Sequence, residues 1–284
     1  VIFNLGALES MAGNAVARTE ADGLKSASKC MAKAAGIFLF VKDFLAPAVD
    51  EGNKTRDLLG HDGYIGSVKF IEQGTKVVSA GGDAEVKLWD AERGQEIATL
   101  YGHQADAGSI SFPAAGTSEQ VFCTGSVDKT VKMWDLRDSS DRPIYTCNSN
   151  KGHVMLCFSP DDLYLLTSAV DNEVRQYLTV DGRLQADLEM HRTGRDDNYT
   201  RAYYMNGGDR IISGSSEEHS VRIHCAHTGA LLHNCEMYGG RKHDSLYVQS
   251  LRGDLHCANS FSVLVNYRDA AFPLEIIKVN MDVE

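Results

Sequence analysis

The pattern of apolar and polar positions changes character near residue 50. Up to that point, apolar residues recur at helical spacing through an alanine-rich segment. Beyond it, short β-branched runs such as residues 75–79 lie between turns rich in glycine and aspartate. The chain is therefore predicted to contain a helical segment at residues 1–48, a polar junction at 49–56 and a β-rich domain at 57–284.

The first segment is predicted to form an α-helical hairpin. A helix starting near Val1 is broken by Asp22-Gly23, because glycine and aspartate disfavour helix interiors. A second helix begins at Leu24 and runs to about Leu45, before Pro47, which cannot continue a helix. The apolar face of such a hairpin needs a partner.

The β-rich region repeats a phrase in which a Gly-His pair precedes a Trp-Asp pair. The two complete copies are Gly60-His61 with Trp89-Asp90 and Gly102-His103 with Trp134-Asp135. The two tryptophans are 45 residues apart, and later copies place Tyr177 and His224 at the Trp position after spacings of 43 and 47 residues. A fifth, degenerate unit is predicted at residues 238–279, with strands at 245–251, 261–267 and 275–279.

A period of this length, with Gly-His at one end and Trp-Asp at the other, resembles the WD40 repeat. The resemblance implies a mainly β fold, a WD40 β-propeller in which each repeat forms one four-stranded blade. About five blades are recognisable, two of them with the full motif. Since a propeller of this kind usually has about seven blades, an incomplete ring stays open as an alternative.

The resemblance also implies a buried polar network in each blade, made by a His, a hydroxyl in the second strand, an Asp in the next turn and the Trp. The predicted members are His61, Ser79, Asp83 and Trp89, then His103, Thr124, Asp128 and Trp134, then His153, Thr167, Asp171 and Tyr177. In all three sets the hydroxyl lies four residues before the Asp. A fourth, less regular set is His191, Ser213 and either Glu217 or Glu218.

Such a chain of titratable groups could act as a proton relay, since buried networks also tune catalysts. Because it recurs from blade to blade, we interpret it as structural, with the groups satisfying one another. The sequence contains neither a nucleophile elbow nor a phosphate-binding glycine loop. We therefore expect no enzyme activity, no catalytic residue and no cofactor.

A metal site is not expected either. The only stretch rich in His and Cys runs from His219 to Cys235. Its neighbours His224 and Cys225 lie next to each other on a predicted strand, so their side chains point to opposite faces. Metal ligands need spacings that place them on one side.

Composition narrows the choice of partners. The net charge of −11 argues against nucleic-acid binding, which needs a basic surface. No apolar stretch reaches 18 residues, so membrane insertion is not expected. Seven cysteines, an odd number without a CxxC spacing, favour reduced thiols and hence a cytoplasmic or nuclear location.

One blade carries a more specific motif. Trp134-Asp135-Leu136-Arg137 resembles the WDxR box of WD40 substrate receptors, which bind the damage-binding adaptor of cullin-4 RING ubiquitin ligases. The resemblance implies that Asp135 and Arg137 lie on a rim and contact the adaptor, with the arginine supplying a planar, permanently charged fork. The first repeat has Glu92 in place of the arginine. The alternative is that Arg137 is a solvated surface residue.

The N-terminal segment has a resemblance of its own. Residues 3–8, 22–25 and 34–38 resemble part of the BRO domain of Alix-like proteins, which serve the endosomal sorting (ESCRT) machinery. The match covers about one-sixth of the chain and implies a partial BRO-like hairpin. Two alternatives stay open, an artefactual joining of two genes and a genuine fusion that links a propeller to endosomal sorting. No binding residue is carried over.

These observations predict a non-catalytic scaffold for protein–protein interactions. Its binding surface is expected on the top face, which we define by the loops at residues 60–64, 102–107 and 152–155. The alternatives are a substrate receptor of a cullin-4 ligase and an adaptor in endosomal sorting.

Overall fold

The computed structural model describes residues 57–113, 119–138, 140–188, 190–195, 198–215 and 220–236, together with the backbone of three strands further on. Its strands are β1 (Ile65–Ile71), β2 (Lys76–Gly81), β3 (Val86–Asp90), β4 (Gln95–Leu100), β5 (Ala107–Ser111), β6 (Val121–Ser126), β7 (Thr130–Asp135), β8 (Tyr145–Asn148), β9 (His153–Phe158), β10 (Tyr164–Ala169), β11 (Val174–Leu178), β12 (Leu184–Asp187), β13 (Thr200–Met205), β14 (Arg210–Ser215), β15 (Ser220–Cys225), β16 (Leu231–Glu236), β17 (Val248–Gly253), β18 (Ser260–Tyr267) and β19 (Glu275–Asn280). Short 3-10 turns occur at Glu72–Gly74 and Asn206–Gly208.

These strands form five antiparallel sheets, each from strands consecutive in the chain. Four sheets have four strands, β1–β4, β5–β8, β9–β12 and β13–β16, and the fifth joins β17, β18 and β19. The first strands of successive sheets pack against one another, β1 on β5, β5 on β9, β9 on β13 and β13 on β17. Each sheet is therefore one blade, and the blades follow one another in chain order.

In the four-stranded blades, the residue at the Trp position pairs with the same place on the second strand. Trp89 pairs with Val77, Trp134 with Phe122, Tyr177 with Leu165 and His224 with Ile211. In each case the partner lies two residues before the hydroxyl of the second strand. The spacing read from the sequence thus corresponds to equivalent places in four blades.

The core lies between blades rather than inside any one of them. The central strands β2 and β3 are buried on both faces, whereas the outer strand β4 is exposed over its first three residues. One apolar cluster joins Val78 and Val86 of the first blade to Phe122 and Trp134 of the second. Similar clusters join the second blade to the third and the third to the fourth. In these clusters the residue at the Trp position, Trp134 or Tyr177, packs against the preceding blade.

The prediction of a mainly β propeller is confirmed, and the five sheets match the five expected repeats. The strands β17, β18 and β19 lie close to the three strands predicted for the degenerate fifth unit. The predicted helical hairpin at residues 1–48 and the junction at 49–56 lie outside the described residues. No helix in the part of the chain that the structure describes has the length and apolar character needed to cross a membrane.

One predicted loop of the top face needs correction. Residues 57–64 and 101–106 do form loops before β1 and β5, but β9 begins at His153. Residues 153–155 are therefore strand rather than loop. The third repeat has a shorter connection between blades, so its chain enters the sheet earlier.

Packing between blades predicts unequal effects for two phenylalanines. Phe122 is fully buried and stacks on Phe112 with ring centroids 5.1 Å apart, whereas Phe70 is 71% exposed. We expect Phe122→Ala to lower the free energy of unfolding by about 3–5 kcal/mol, because it opens a cavity between two blades. Phe70→Ala should change it by less than about 0.5 kcal/mol. Denaturant unfolding of the two variants tests this, and equal losses would contradict the inter-blade core.

Candidate functional site

In the first blade the four predicted network residues form one hydrogen-bonded chain. The Trp89 indole N–H donates to the Ser79 hydroxyl over 2.8 Å. The Ser79 Oγ lies 2.7 Å from His61 Nε2, and His61 Nδ1 lies 2.8 Å from the Asp83 carboxylate. A carboxylate only accepts, so the imidazole donates from Nδ1 and accepts the Ser79 proton at Nε2. The chain links β2, β3, the turn between them and the loop before β1.

The glycine of the Gly-His pair has a separate steric role. A Cβ at Gly60 would lie 3.1 Å from Cη2 of Trp89, and one at Gly102 would lie 3.3 Å from Cη2 of Trp134. The loop therefore rests on the edge of each indole, where a side chain has little room. Gly60 also adopts a φ of +156°, which L residues rarely adopt.

The second blade repeats the network with Thr124 in the place of the serine. Trp134 donates to the Thr124 hydroxyl over 2.8 Å, His103 Nε2 lies 2.8 Å from the same oxygen, and His103 Nδ1 lies 2.9 Å from Asp128. Asp128 also accepts the backbone N–H of Gln104 and both donors of Thr130. Burial alone would raise the pKa of Asp128, but the hydrogen bonds from His103, Thr130 and Gln104 outweigh it and hold the pKa far below its usual range.

The third blade does not form this network, although the sequence places the same residue types in it. His153 Nε2 lies 2.8 Å from Ser149 Oγ, and Thr167 donates to the carbonyl of Arg175. Tyr177 donates to the carbonyl of Asn148 over 3.0 Å. Burial lowers the pKa of His153 to about 3, so its imidazole is neutral at pH 7.

Asp171, the predicted carboxylate of the third blade, forms its hydrogen bonds with the chain that leads into the fourth blade. Its carboxylate accepts the backbone N–H groups of Thr193 and Gly194 and the hydroxyl of Thr193, all in the chain that leads into the fourth blade. Burial would raise the pKa of Asp171, but these hydrogen bonds lower it. The carboxylate thus ties the β10–β11 turn to a neighbouring blade.

The number of residues from the histidine to the hydroxyl explains why the third blade lacks the network. His61 precedes its hydroxyl partner by 18 residues and His103 by 21, whereas only 14 residues separate His153 from Thr167. The shorter segment draws His153 into β9, where it pairs with Ala169. The constant four-residue spacing from hydroxyl to Asp did not reveal this change.

The fourth blade keeps the positions but changes the chemistry. Ser213 donates to Met190 Sδ over 3.3 Å, while the backbone carbonyl of His191 accepts from Asn172. His224 is fully buried at the Trp position, and within the described ranges neither ring nitrogen has a hydrogen-bond partner. Burial lowers the pKa of His224 to about 4. The candidates Glu217 and Glu218 lie outside the described residues.

The Asp135–Arg137 pair lies at the far end of β7 from Asp128 and the β6–β7 turn. Arg137 Nε is 2.8 Å from Asp135 Oδ1 and Arg137 Nη2 is 2.6 Å from Asp135 Oδ2, which makes a two-point contact. The side chain of Arg137 is 65% exposed and that of Asp135 is 19% exposed. The guanidinium lowers the pKa of Asp135, and the carboxylate raises the pKa of Arg137. Arg137 thus projects from the β7–β8 turn in a fixed orientation.

Sequence reasoning missed two features. Tyr64 donates to Asp106 over 2.7 Å and so joins the two top-face loops of the first and second blades. Asp181 and Arg183 in the third blade form a second exposed pair, with Nε 2.7 Å from Oδ2. The Asp-x-Arg spacing at residues 181–183 was a sequence signal for the exposed pair. The Tyr64–Asp106 contact joins residues 42 positions apart, and no sequence pattern indicated it.

Within the described ranges, no group of three or more His, Cys, Asp or Glu side chains is arranged to hold a metal ion. The five described cysteines, Cys123, Cys147, Cys157, Cys225 and Cys235, form no disulfide with one another.

Four-stranded antiparallel blades in chain order, with an indole–hydroxyl–imidazole–carboxylate network in two of them, define a β-propeller of repeated blades. The family model for the WD domain, G-beta repeat, matches residues 52–90, 94–135 and 141–177. Residues 52–177 therefore carry three WD40 repeats. Its fold is similar to the crystal structure of the WD40 β-propeller domain of Doa1, with a TM-score of 0.57, 22% identity, and coverage of 79% of this chain and 67% of that one.

Two relatives show the range of similar sequences. The chain is 47% identical over 206 residues to the Arabidopsis thaliana protein DWD HYPERSENSITIVE TO UV-B 1, covering 72% of this chain and 26% of the relative. It is 31% identical over 151 residues to a guanine nucleotide-binding protein subunit beta of Oryza sativa subsp. japonica, covering 51% of this chain and 39% of the relative. The chain thus spans well under half the length of these relatives.

The difference between the second and third blades predicts unequal costs for two similar substitutions. Thr124→Val leaves the Trp134 N–H and His103 without their shared partner, so we expect a loss of about 1–3 kcal/mol in the free energy of unfolding. Thr167→Val removes one bond to a carbonyl and should cost less than about 1 kcal/mol. Both threonines are buried, so denaturant unfolding compares like with like. Equal losses would show that the network adds nothing to the second blade.

The lowered pKa of Asp128 predicts a pH-dependent contribution to stability. Because the folded-state pKa lies below the ordinary value of about 3.9, the carboxylate stabilises the fold above that pH and loses this contribution as pH falls. Asp128→Asn should therefore cost about 1.5–3 kcal/mol at pH 7, and the gap to the parent should narrow below pH 4.

Urea unfolding of parent and variant from pH 7 to pH 3 measures this gap. Asp181→Asn, at an exposed carboxylate in the β11–β12 turn, is the control and should cost less at pH 7. A gap that stays constant with pH would exclude the proposed ionic role of Asp128.

Proposed function

We propose that this chain is a non-catalytic scaffold for protein–protein interactions. The observation that carries the proposal is the use of the titratable groups in the first two blades. Each of these groups is hydrogen-bonded within the network, to another titratable group, a hydroxyl or the backbone. They are His61, Asp83, His103 and Asp128. WD40 propellers are generally non-catalytic, which supports the same conclusion. The expected partners are proteins, and the net charge of −11 disfavours nucleic acid.

A second candidate is a substrate receptor of a cullin-4 ligase, which binds the damage-binding adaptor through Asp135 and Arg137. The fixed, exposed guanidinium of Arg137 supports it. Two N–H groups of Arg137 bind Asp135, which leaves three of its five donors for a partner. The chain is also 47% identical over 206 residues to an Arabidopsis relative whose name contains DWD and UV-B, which supports this candidate.

This second function predicts that Arg137→Asp weakens binding of the purified adaptor at least about thirtyfold, as expected for a hot-spot arginine. Loss of the guanidinium and repulsion from the new carboxylate act in the same direction. Surface plasmon resonance with the full chain measures the affinity. The structure offers a matched control in Arg183→Asp, because Arg183 forms a similar Asp-x-Arg pair and is 75% exposed.

Adaptor binding that survives Arg137→Asp, or that falls equally with Arg183→Asp, would exclude the WDxR box as the contact. The parent chain failing to bind adaptor at all would leave only the general scaffold function. Thermal unfolding of both variants checks that neither substitution disturbs the fold.

The BRO-like segment and an adaptor role in endosomal sorting concern residues outside the described part, and they stay predictions. The same is true of the cytoplasmic or nuclear location. One continuous transcript across residues 49–54 is the first requirement for that adaptor role.

A further inference from the structure

A small cavity of about 50 Å³ lies between the third and fourth blades. It is at the same end of the blades as the Asp135–Arg137 pair, where third strands end. Its wall includes Asp161, Tyr164, Gln176, Gly208, Asp209 and His227. These residues come from the β9–β10, β13–β14 and β15–β16 turns and from two strands.

Gln176 forms the buried part of the cavity. Its side chain is 1% exposed, and its Nε2 donates to the hydroxyl of Tyr204 over 3.0 Å. This bond orients the amide, and its Oε1 has no hydrogen-bond partner among the residues that the structure describes. Buried polar atoms are nearly always paired, because an unpaired acceptor loses its hydration without compensation. An N–H donor that enters the cavity would supply the missing partner.

Two carboxylates give the mouth of the cavity a negative charge. Asp161 Oδ1 accepts the Ser159 hydroxyl at 2.5 Å and the Leu163 N–H at 3.1 Å, which holds that carboxylate in place. Asp209 Oδ1 lies 3.5 Å from His227 Nε2. The carboxylates and the amide oxygen are all acceptors, so the cavity favours a donor that carries positive charge.

The entrance is open because of a glycine pair. Gly207 and Gly208 form the β13–β14 turn with φ values of +65° and +103°. No atom lies within 4 Å of the position that a Cβ would take at Gly207. Two adjacent glycines leave room for a group to approach Asp209.

The cavity also has a counterpart in the WDxR box. His224 occupies the Trp position of the fourth blade, so His227 stands three residues later, as Arg137 does after Trp134. The turn after the third strand therefore carries the Arg137 guanidinium in the second blade. In the fourth blade the same turn borders the cavity, whose wall includes acceptors. The two features are therefore complementary in charge and separate in position.

We propose that this cavity binds an arginine side chain presented by a protein partner. A guanidinium has five N–H donors in one plane, enough to reach Gln176 Oε1 inside and both carboxylates at the mouth. A cavity of this volume holds roughly three to five water-sized groups, and a guanidinium has four non-hydrogen atoms. The assignment to a protein partner rests on the proposed scaffold function, but nothing in it depends on Arg137.

The test is an NMR titration of the ¹⁵N-labelled full chain with N-acetyl-arginine methylamide. The matched probe is N-acetyl-citrulline methylamide, which has nearly the same shape without the charge. We expect the arginine probe to shift the backbone amides of Gly207, Gly208 and Asp209 and the side-chain amide of Gln176. The citrulline probe should shift them at least about tenfold less at equal concentration.

Variants separate the cavity from other acidic surfaces. Gln176→Leu should weaken binding of the arginine probe about tenfold, because it removes the inner acceptor. Asp161→Asn and Asp209→Asn should each weaken it about two- to fivefold, as expected for exposed ion pairs. Asp181→Asn removes an exposed carboxylate outside the cavity and should leave the affinity unchanged.

Thermal unfolding checks whether Gln176→Leu disturbs packing around Tyr204, and the two surface variants keep the test decisive if it does. Equal binding of both probes, or unchanged affinity in Asp161→Asn and Asp209→Asn, would overturn the proposal. So would calcium chloride shifting these resonances while the arginine probe does not. Arg137→Asp should retain arginine-probe binding, so failure of the cavity proposal is distinguishable from failure of adaptor binding.

Discussion

The hydrogen-bonded chain from indole to hydroxyl, imidazole and carboxylate is the interaction on which the first two blades depend. Stacked blades bury their central strands on both faces, so every polar group placed there needs a partner. The shared hydroxyl of Ser79 or Thr124 satisfies the indole and the imidazole at once. The carboxylate then ties the incoming loop to the turn between the two central strands. A local motif thereby fixes how the chain enters each blade.

The third and fourth blades form other hydrogen bonds in place of this network. Tyr177 reaches the carbonyl of Asn148, Asp171 holds the chain entering the next blade, and Ser213 turns to Met190. The apolar faces remain buried in every case. The strand pairing at the Trp position is thus the same in all four blades, whereas the hydrogen bonds around it differ. Blade stacking depends on the size of the side chain and not on its hydrogen bonds.

The imidazole–carboxylate pairs of the network and the exposed Asp135–Arg137 pair occupy opposite ends of a blade. The imidazole–carboxylate pairs lie beside the β2–β3 and β6–β7 turns, whereas the Asp135–Arg137 pair and the cavity lie where third strands end. Antiparallel strands require this separation, since a residue at the start of a third strand is a full strand length from its end. The turns at the second end carry exposed charge without loss of core packing. This arrangement suits a scaffold, whose surface can vary while its blades remain stacked.

The sequence by itself determined the repeat, the number of sheets, the Trp-position register and the complete networks of the first two blades. These follow from short-range spacing, because strands and turns of a blade are consecutive in the chain. Only the tertiary structure decided that the third blade lacks the network. His153 lies 14 positions before Thr167, and this short segment places its imidazole in a strand. The tertiary structure alone brought Gln176, Asp161 and Asp209 around one cavity, since contacts between blades join residues that no local pattern relates.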